Sequence, residues 1–241
     1  MKLKVLGSSS SGNCYLLDDG EQVLVIEAGI PFSEIKEAID YQVSRIVGAL
    51  SSHEHGDHRK YLHEYEIAGM DVIKGCEHIG IGFKSSYTCG TGIKMGDFFV
   101  SPFEVPHDVP CYGYMIEHPD MGKLVFATDA EYIKYTFPGV NHIMVEANYA
   151  QDILDENVSS GEIPQVLRNR IMKSHMSFDT ALKMVRANKN PMLMNVIMCH
   201  LSSRNSDRRR FTEDMQKEAG RFCNVAVARK GLEFDLSLVP F

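Results

Sequence analysis

The segment Ser52-His53-Glu54-His55-Gly56-Asp57-His58 follows, after Ser51, an apolar run, Ile46-Val47-Gly48-Ala49-Leu50. No other stretch restricts the fold as much. Imidazoles and a carboxylate packed this closely lose solvation when buried and repel one another when the rings protonate, so a core has no use for them without a cation. The apolar run reads as a strand, and the turn after it must face a polar cavity at a sheet edge. His53 and His55, two apart, point the same way, while Asp57 and His58 fall on the first helical turn that follows. One short loop can thus serve two cations.

Further candidates sit where other apolar runs end. His107 follows Phe103-Glu104-Val105-Pro106, Asp129 follows Leu124-Val125-Phe126-Ala127-Thr128, and His200 follows Val196-Ile197-Met198-Cys199. Ligands placed at strand ends converge on one edge of a sheet. Four others, His63, His78, His118 and His142, read as ordinary surface or core residues.

The whole chain sets the scale. With 241 residues, 44% of them hydrophobic, it can bury one sizeable core, and a single domain over 1–241 is expected. The apolar stretch after the first lysines is too short for a signal segment, and no run approaches the ~18 residues of a membrane span. A soluble, cytoplasmic protein without a membrane partner is the expectation. Cys14, Cys76, Cys89, Cys111, Cys199 and Cys223 are scattered without a C-x-x-C pair and read as reduced thiols. A net charge of −7 argues against nonspecific coating of nucleic acid, although two bound dications would add local positive charge.

Strand-like runs are expected at 3–7, 14–19, 22–29 and 45–52, with helices at 31–39 and about 57–68 between and after them. A strand-rich block follows at 95–105, 112–118, 123–129 and 142–148. Helices return at 164–172, 177–188 and 206–220, with Ser177 and Ser206 as N-caps, a strand at 195–200 and a terminal hairpin at 224–236. Two βα-rich ends flanking a strand-rich middle predict an α/β fold of two facing sheets with helices outside.

The pattern H-x-H-x-D-H, followed by a lone His, a lone Asp and a lone His, resembles the metallo-β-lactamase superfamily in its hydrolase form. That resemblance implies the αββα sandwich, two mixed sheets flanked by helices. It also implies two divalent metal ions per chain, zinc by preference with manganese or iron as alternatives. His53, His55 and His107 would hold one metal, Asp57, His58 and His200 the other, and Asp129 would bridge. Where the superfamily usually has an Asp after its early strand, this chain has Glu27, expected to orient a ligand.

Three more segments resemble phosphodiester-cleaving branches. The opening Leu3-Lys4-Val5-Leu6-Gly7-Ser8-Ser9-Ser10-Ser11-Gly12-Asn13 resembles the YycJ (WalJ)-type branch, whose members are linked to DNA exonuclease activity. Its small-residue loop, Ser8 and Ser9 through Asn13, offers N–H and hydroxyl groups to an anion. His200-Leu201-Ser202-Ser203-Arg204-Asn205 resembles the H-L-S-x-x-N of that branch, with Ser202, Arg204 and Asn205 as phosphate contacts. Val145-Glu146-Ala147-Asn148 and Lys173-Ser174-His175-Met176-Ser177 resemble paired elements of tRNase Z and the YycJ type. By that likeness Glu146 pairs with His175, and His175 protonates the leaving oxygen; with Asp57 they make up the expected catalytic residues.

Two metals suit in-line phosphodiester cleavage, and also ester or thioester hydrolysis. Arg168, Arg170 and Lys173 lead into His175, and Arg204, Arg208, Arg209 and Arg210 follow His200. Phosphate contacts are one reading; a solvated helix in which Arg208 to Arg210 pair with Glu213 and Asp214 is the other. The span between Asp129 and His200 leaves no room for the inserted domain of β-CASP nucleases, and no helical domain follows His200 as in glyoxalase II. The expected function is a dinuclear phosphodiester hydrolase, a DNA exonuclease acting on single-stranded or frayed ends. The alternative is a small-molecule phosphodiesterase of the cyclic-nucleotide kind. Lactone or thioester hydrolysis and a non-catalytic metal-stabilised module stand behind both.

Overall fold

The candidate ligands meet because of strand direction. The computed structural model describes residues 1–80 and 82–239. β1 (Lys2–Gly7), β2 (Cys14–Asp18) and β3 (Val23–Ile26) form an antiparallel meander, and α1 (Phe32–Ala38) crosses to β4 (Ile46–Ser51), parallel to β3. α2 (Gly56–Arg59) and α3 (Leu62–Ile67) lead to β5 (Val72–Lys74), parallel to β4, and then to the antiparallel β6 (Glu77–Gly80) and β7 (Phe83–Ser86).

The second sheet starts with four antiparallel strands, β8 (Ile93–Met95), β9 (Phe98–Val105), β10 (Cys111–His118) and β11 (Gly122–Ala127). β12 (His142–Glu146) lies parallel to β11. After α4 (Gln151–Ser159), α5 (Gln165–Ser174) and α6 (Phe178–Asn188), β13 (Asn195–Cys199) adds parallel to β12. Beyond α7 (Arg208–Ala219), β14 (Asn224–Val227) adds parallel to β13, while β15 (Glu233–Asp235) returns to pair with β1. The sheet orders are β15-β1-β2-β3-β4-β5-β6-β7 and β14-β13-β12-β11-β10-β9-β8. The ends of β4, β9, β11, β12 and β13 therefore open on one rim, where ligands of open α/β sheets bind.

The central strands β2, β3, β12 and β13 are covered on both faces, which is why they read as continuous apolar runs rather than alternating ones. Leu24, Ile26 and Leu50 of the first sheet meet Phe126, Met144 and Ile197 of the second between the layers. Val23, Val25 and Ala49 face outward under Ile35, Leu62 and Tyr65. On the far side Val145, Val196 and Met198 pack under Phe178 and Phe211, whose rings stack 4.0 Å apart. This is the αββα sandwich. Among the described residues no helix is long and apolar enough to cross a membrane.

Several expectations need correction. The segment 224–236 is not a hairpin: β14 and β15 enter different sheets, because β14 continues the parallel run whereas β15 pairs β1. The short strands β5 to β7 and helix α4 were absent from the reading of the sequence. Ser177 caps α6 by accepting from Thr180 N, but α7 is capped by Asp207, which accepts from Arg210 N, while Ser206 Oγ donates to Ser202 O. The six cysteines are not all thiols. Cys76 and Cys89 form a disulfide, and Cys14, Cys111, Cys199 and Cys223 are free and buried. The β6–β7 pairing brings the two together, with Tyr87 N donating to Cys76 O at 2.7 Å.

Candidate metal centre

A short loop needs firm support to hold ligands without a regular element. The turn from His53 to His58 is clamped from below by backbone: Asn13 N donates to Asp57 O at 2.7 Å and Ala28 N to His58 O at 2.7 Å. Gly29 makes that contact feasible, since a Cβ there would stand 1.9 Å from Asp57 O. From the side, Tyr114 Oη donates to Ser51 O at 2.6 Å and accepts from Gly75 N at 3.0 Å. Glu27, Asp129 and His200, each just past a strand, take positive φ values of 68°, 49° and 53°, a turn that swings their side chains to the common rim.

The seven residues singled out by the motif come together. His53, His55, His107 and Asp129 form one group of donor atoms within 4.8 Å of one another, and Asp57, His58, Asp129 and His200 form a second. Asp129 belongs to both. Nδ1 of His55 faces Nε2 of His107 at 3.2 Å, and Nε2 of His53 faces Oδ2 of Asp129 at 3.4 Å. Two bonds of ~2.0 Å at a tetrahedral angle set their donors about 3.3 Å apart, so these spacings fit donors to a single cation. His53 points the same way in its hydrogen bonds: Ser52 Oγ meets Nδ1 at 2.8 Å, while the buried Nε2 has no hydrogen-bond partner. In the second group Oδ2 of Asp57 lies 3.2 Å from Nε2 of His200 and 3.3 Å from Nε2 of His58. The donor set fits divalent cations.

Charges in this cluster are tightly coupled. Burial works against the Asp129 carboxylate, yet His200 and His58 hold its carboxyl well below the usual range. Burial likewise opposes ionisation of Asp57, and hydrogen bonds from His200 and His58 outweigh it. Burial and the neighbouring His53 push His107 down to about 4, which keeps its ring neutral and able to donate a lone pair.

A carboxylate stands behind several of the rings. Oε1 of Glu27 lies 3.4 Å from Nδ1 of His58, and its Oε2 accepts from Ser52 N at 3.3 Å. Oε1 of Glu146 lies 3.0 Å from Nδ1 of His200 and 2.7 Å from Nδ1 of His175, and its Oε2 accepts from Met176 N. Burial disfavours the charge on His175, but Glu146 and then Asp129 raise the imidazole to about 10. The ring remains partly exposed and lines a cavity of about 780 Å³ in front of the cluster.

The expected phosphate contacts divide. Ser9, Ser202, Arg204 and Asn205 line the cavity; Ser8 and Asn13 do not. Ser8 Oγ is occupied by Tyr15 Oη and His200 N, which both donate to it. The buried Asn13 side chain donates to Asp57 O at 3.2 Å and meets Nε2 of His58 at 3.1 Å. Both face the cluster and its backbone support rather than the cavity. Ser202 also has a turn role, accepting from Asn205 N. The arginines separate as well. Arg168 pairs with Asp155 at 2.6 Å, Arg210 with Asp152 at 2.5 Å and Arg209 with Glu213 at 3.4 Å, whereas Arg170 and Arg204 line the cavity and have no ion pair among the described residues.

Two residues escaped the sequence reading. Asp108 places Oδ1 3.1 Å from Nε2 of His107 and 3.4 Å from Nε2 of His55, at the exposed side of the first group. Its adjacency to His107 in Pro106-His107-Asp108 was the available signal. Asn148 donates to His200 O at 2.9 Å and lines the cavity, a role that its position two residues after Glu146 did not reveal.

Comparison with known proteins agrees with this architecture. Residues 9–64 match the sequence pattern of the Metallo-beta-lactamase superfamily. The chain is 26% identical over 228 residues to Exodeoxyribonuclease WalJ of Streptococcus pneumoniae serotype 2, covering 85% of this chain and 83% of the relative. It is 27% identical over 191 residues to Exodeoxyribonuclease YycJ of Bacillus anthracis, covering 71% and 70%. Its fold superposes on the metallo-beta-lactamase fold protein YhfI from Bacillus subtilis with a TM-score of 0.68 over 97% of this chain and 98% of that one, at 14% identity.

Proposed function

We propose that this chain is a metal-dependent hydrolase of the metallo-β-lactamase superfamily and, within it, a dinuclear phosphodiesterase that removes nucleotides from single-stranded or frayed DNA ends. The observation that carries the reading is the Glu146–His175 pair, a hydrogen bond of 2.7 Å beside the two donor groups and open to the cavity. Cleaving a phosphodiester expels an alkoxide, which needs a proton, whereas a thioester releases a thiolate that does not; a lactone shares the need for a proton but gives Arg170 and Arg204 in the cavity no phosphate to hold. The relatives named as exodeoxyribonucleases support DNA as the polymer.

In this reading His53, His55 and His107 would hold one cation and Asp57, His58 and His200 the other, with Asp129 available to both groups. When bound, the cations supply charge that activates water and neutralises phosphoryl oxygens. Glu27 fixes the ring of His58 from behind, as Glu146 fixes that of His200. Arg170 and Arg204 draw the anionic backbone into the cavity, and His175, held by Glu146 through Nδ1, delivers a proton from Nε2 to the departing oxygen. Asp57 anchors His200 and His58 in one orientation.

The test is a cleavage assay on 5′- and 3′-labelled oligonucleotides beside cyclic nucleotides, with zinc and with manganese. Stepwise shortening of single strands from one end supports the proposal. Turnover of cyclic nucleotides with intact oligonucleotides would replace it with a small-molecule phosphodiesterase.

A further inference from the structure

The cavity is asymmetric. Two of its walls are loops, one near Ser9 and one running from Ser202 to Arg204, both made largely of small polar groups. The remaining wall is one face of α5. Leu167, Arg170, Ile171 and Ser174 are spaced i, i+3, i+4 and i+7, so they form a single stripe that ends at His175. Leu167 is 42% exposed, and Ile171 is half-buried against the small apolar cluster of Tyr149, Leu154 and Ile163. Val166 beside it is 81% exposed and does not line the cavity. Apart from the imidazoles of the cluster and His175, no ring side chain (Phe, Tyr or Trp) lines the cavity among the described residues.

We propose that this stripe is a base-binding floor for a nucleic-acid strand end of about three nucleotides, with Leu167 and Ile171 beneath the bases and Arg170 and Arg204 at the phosphates. The inference rests on the phosphodiesterase reading and adds to it the extent of the strand that is recognised. From Leu167 to Ser174 the helix rises about 10 Å, and stacked nucleotides repeat about every 3.4 Å. Two guanidinium groups without ion pairs, on different elements, exceed what one small diester requires. Glu162, just before the start of α5, also lines the cavity, and its carboxylate repels a backbone continuing past it, which sets the limit. Aliphatic side chains offer a flat apolar surface with no hydrogen bonds to base edges, so the floor accepts every base alike.

The experiment compares kcat/KM on homo-oligonucleotides of two to ten residues, with the metal-loaded enzyme. For the wild type the value rises ~10-fold from the dinucleotide to about the tetranucleotide and then levels. Leu167→Asp brings the ratio of hexanucleotide to dinucleotide toward one, Leu167→Trp raises it ~5-fold through KM, and Val166→Asp leaves it as in the wild type. A partly unfolded variant loses both values together and keeps the ratio. Anisotropy of a labelled hexanucleotide on the metal-free chain gives a second readout, with ~10-fold weaker binding for Leu167→Asp. Length-independent kcat/KM in the wild type, or an unchanged ratio in Leu167→Asp, overturns the floor. If the wild type cleaves no oligonucleotide of any length, the phosphodiesterase reading fails instead.

Discussion

Oε1 of Glu146 lies 2.7 Å from Nδ1 of His175, and the same oxygen lies 3.0 Å from Nδ1 of His200. One carboxylate thus holds a ring of the second donor group and the ring proposed to protonate the leaving oxygen. His175→Ala should keep its bound metal, lose ~10²–10⁴-fold on a natural diester and lose far less on bis-p-nitrophenyl phosphate, whose leaving group needs no proton. Equal losses on both substrates would remove His175 from the acid role. Glu146→Gln should instead disturb metal content as well as rate, because it also frees His200.

Among the described residues Asp129 is the one member shared by the group of His53, His55 and His107 and the group of Asp57, His58 and His200. A shared carboxylate offsets repulsion between two closely spaced dications, so Asp129→Ala should lower metal content per chain and abolish hydrolysis together. Mass spectrometry of metal content decides the matter. Two metals retained at near-native rates would rule out the shared role.

Ion pairing divides the arginines into two kinds, and salt should reveal it. Replacing Arg170 or Arg204, which line the cavity, should each reduce the slope of log affinity against log salt for single strands by ~0.7. Arg168→Ala and Arg210→Ala should leave the slope alone, since Asp155 and Asp152 already neutralise those groups. Equal slopes across all four variants would mean that the cavity does not carry the phosphate contacts.

Thiol counting tests the disulfide. In denaturant without reductant, Ellman's reagent should find four thiols, those of Cys14, Cys111, Cys199 and Cys223, and six after reduction. The bridge spans a sequence separation of 13 residues. Cys76→Ser with Cys89→Ser should therefore lower stability by ~3 kcal/mol. Six thiols before reduction would exclude the bridge.

His142 should govern part of the acid limb of stability. Burial, partly offset by a hydrogen bond to Met121 O, pushes its ring down to about 4, and Asn195 Nδ2 meets its Nδ1 at 2.8 Å. An unfolded histidine titrates near 6.5, so between those values the unfolded chain binds more protons and stability rises with pH. The contribution is full above about 6.5 and lost below about 4, on the order of 3 kcal/mol. His142→Gln should flatten that part of a urea-midpoint profile; an unchanged profile would place the acid sensitivity elsewhere.

The strand ends were legible because apolar runs buried on both faces stop abruptly at polar ligands, as Leu50 gives way to His53 and Cys199 to His200. What escaped depended on long-range pairing. Whether β14 joins β13 or folds back on β15 depends on sheet edges far away in sequence. The Cys76–Cys89 bridge depends on the register of two short strands that no periodicity announces. Arg168 and Arg170 carry the same charge two positions apart, and only the place of Asp155 on α4 separates them. Ser8 and Asn13 resembled anion contacts because the same donors serve a phosphate or a neighbouring backbone equally well.

The left-handed backbone at Glu27, Asp129 and His200 bears on how such a chain can be improved. Glycine adopts that conformation freely, whereas a side chain there costs roughly 1–2 kcal/mol. Any procedure that ranks substitutions by folding stability alone will therefore favour glycine at three positions whose side chains hold the centre together. Thermostable variants obtained that way should be well folded and inert. The useful gains must come from positions away from the rim, such as the exposed Ile67 and Phe222.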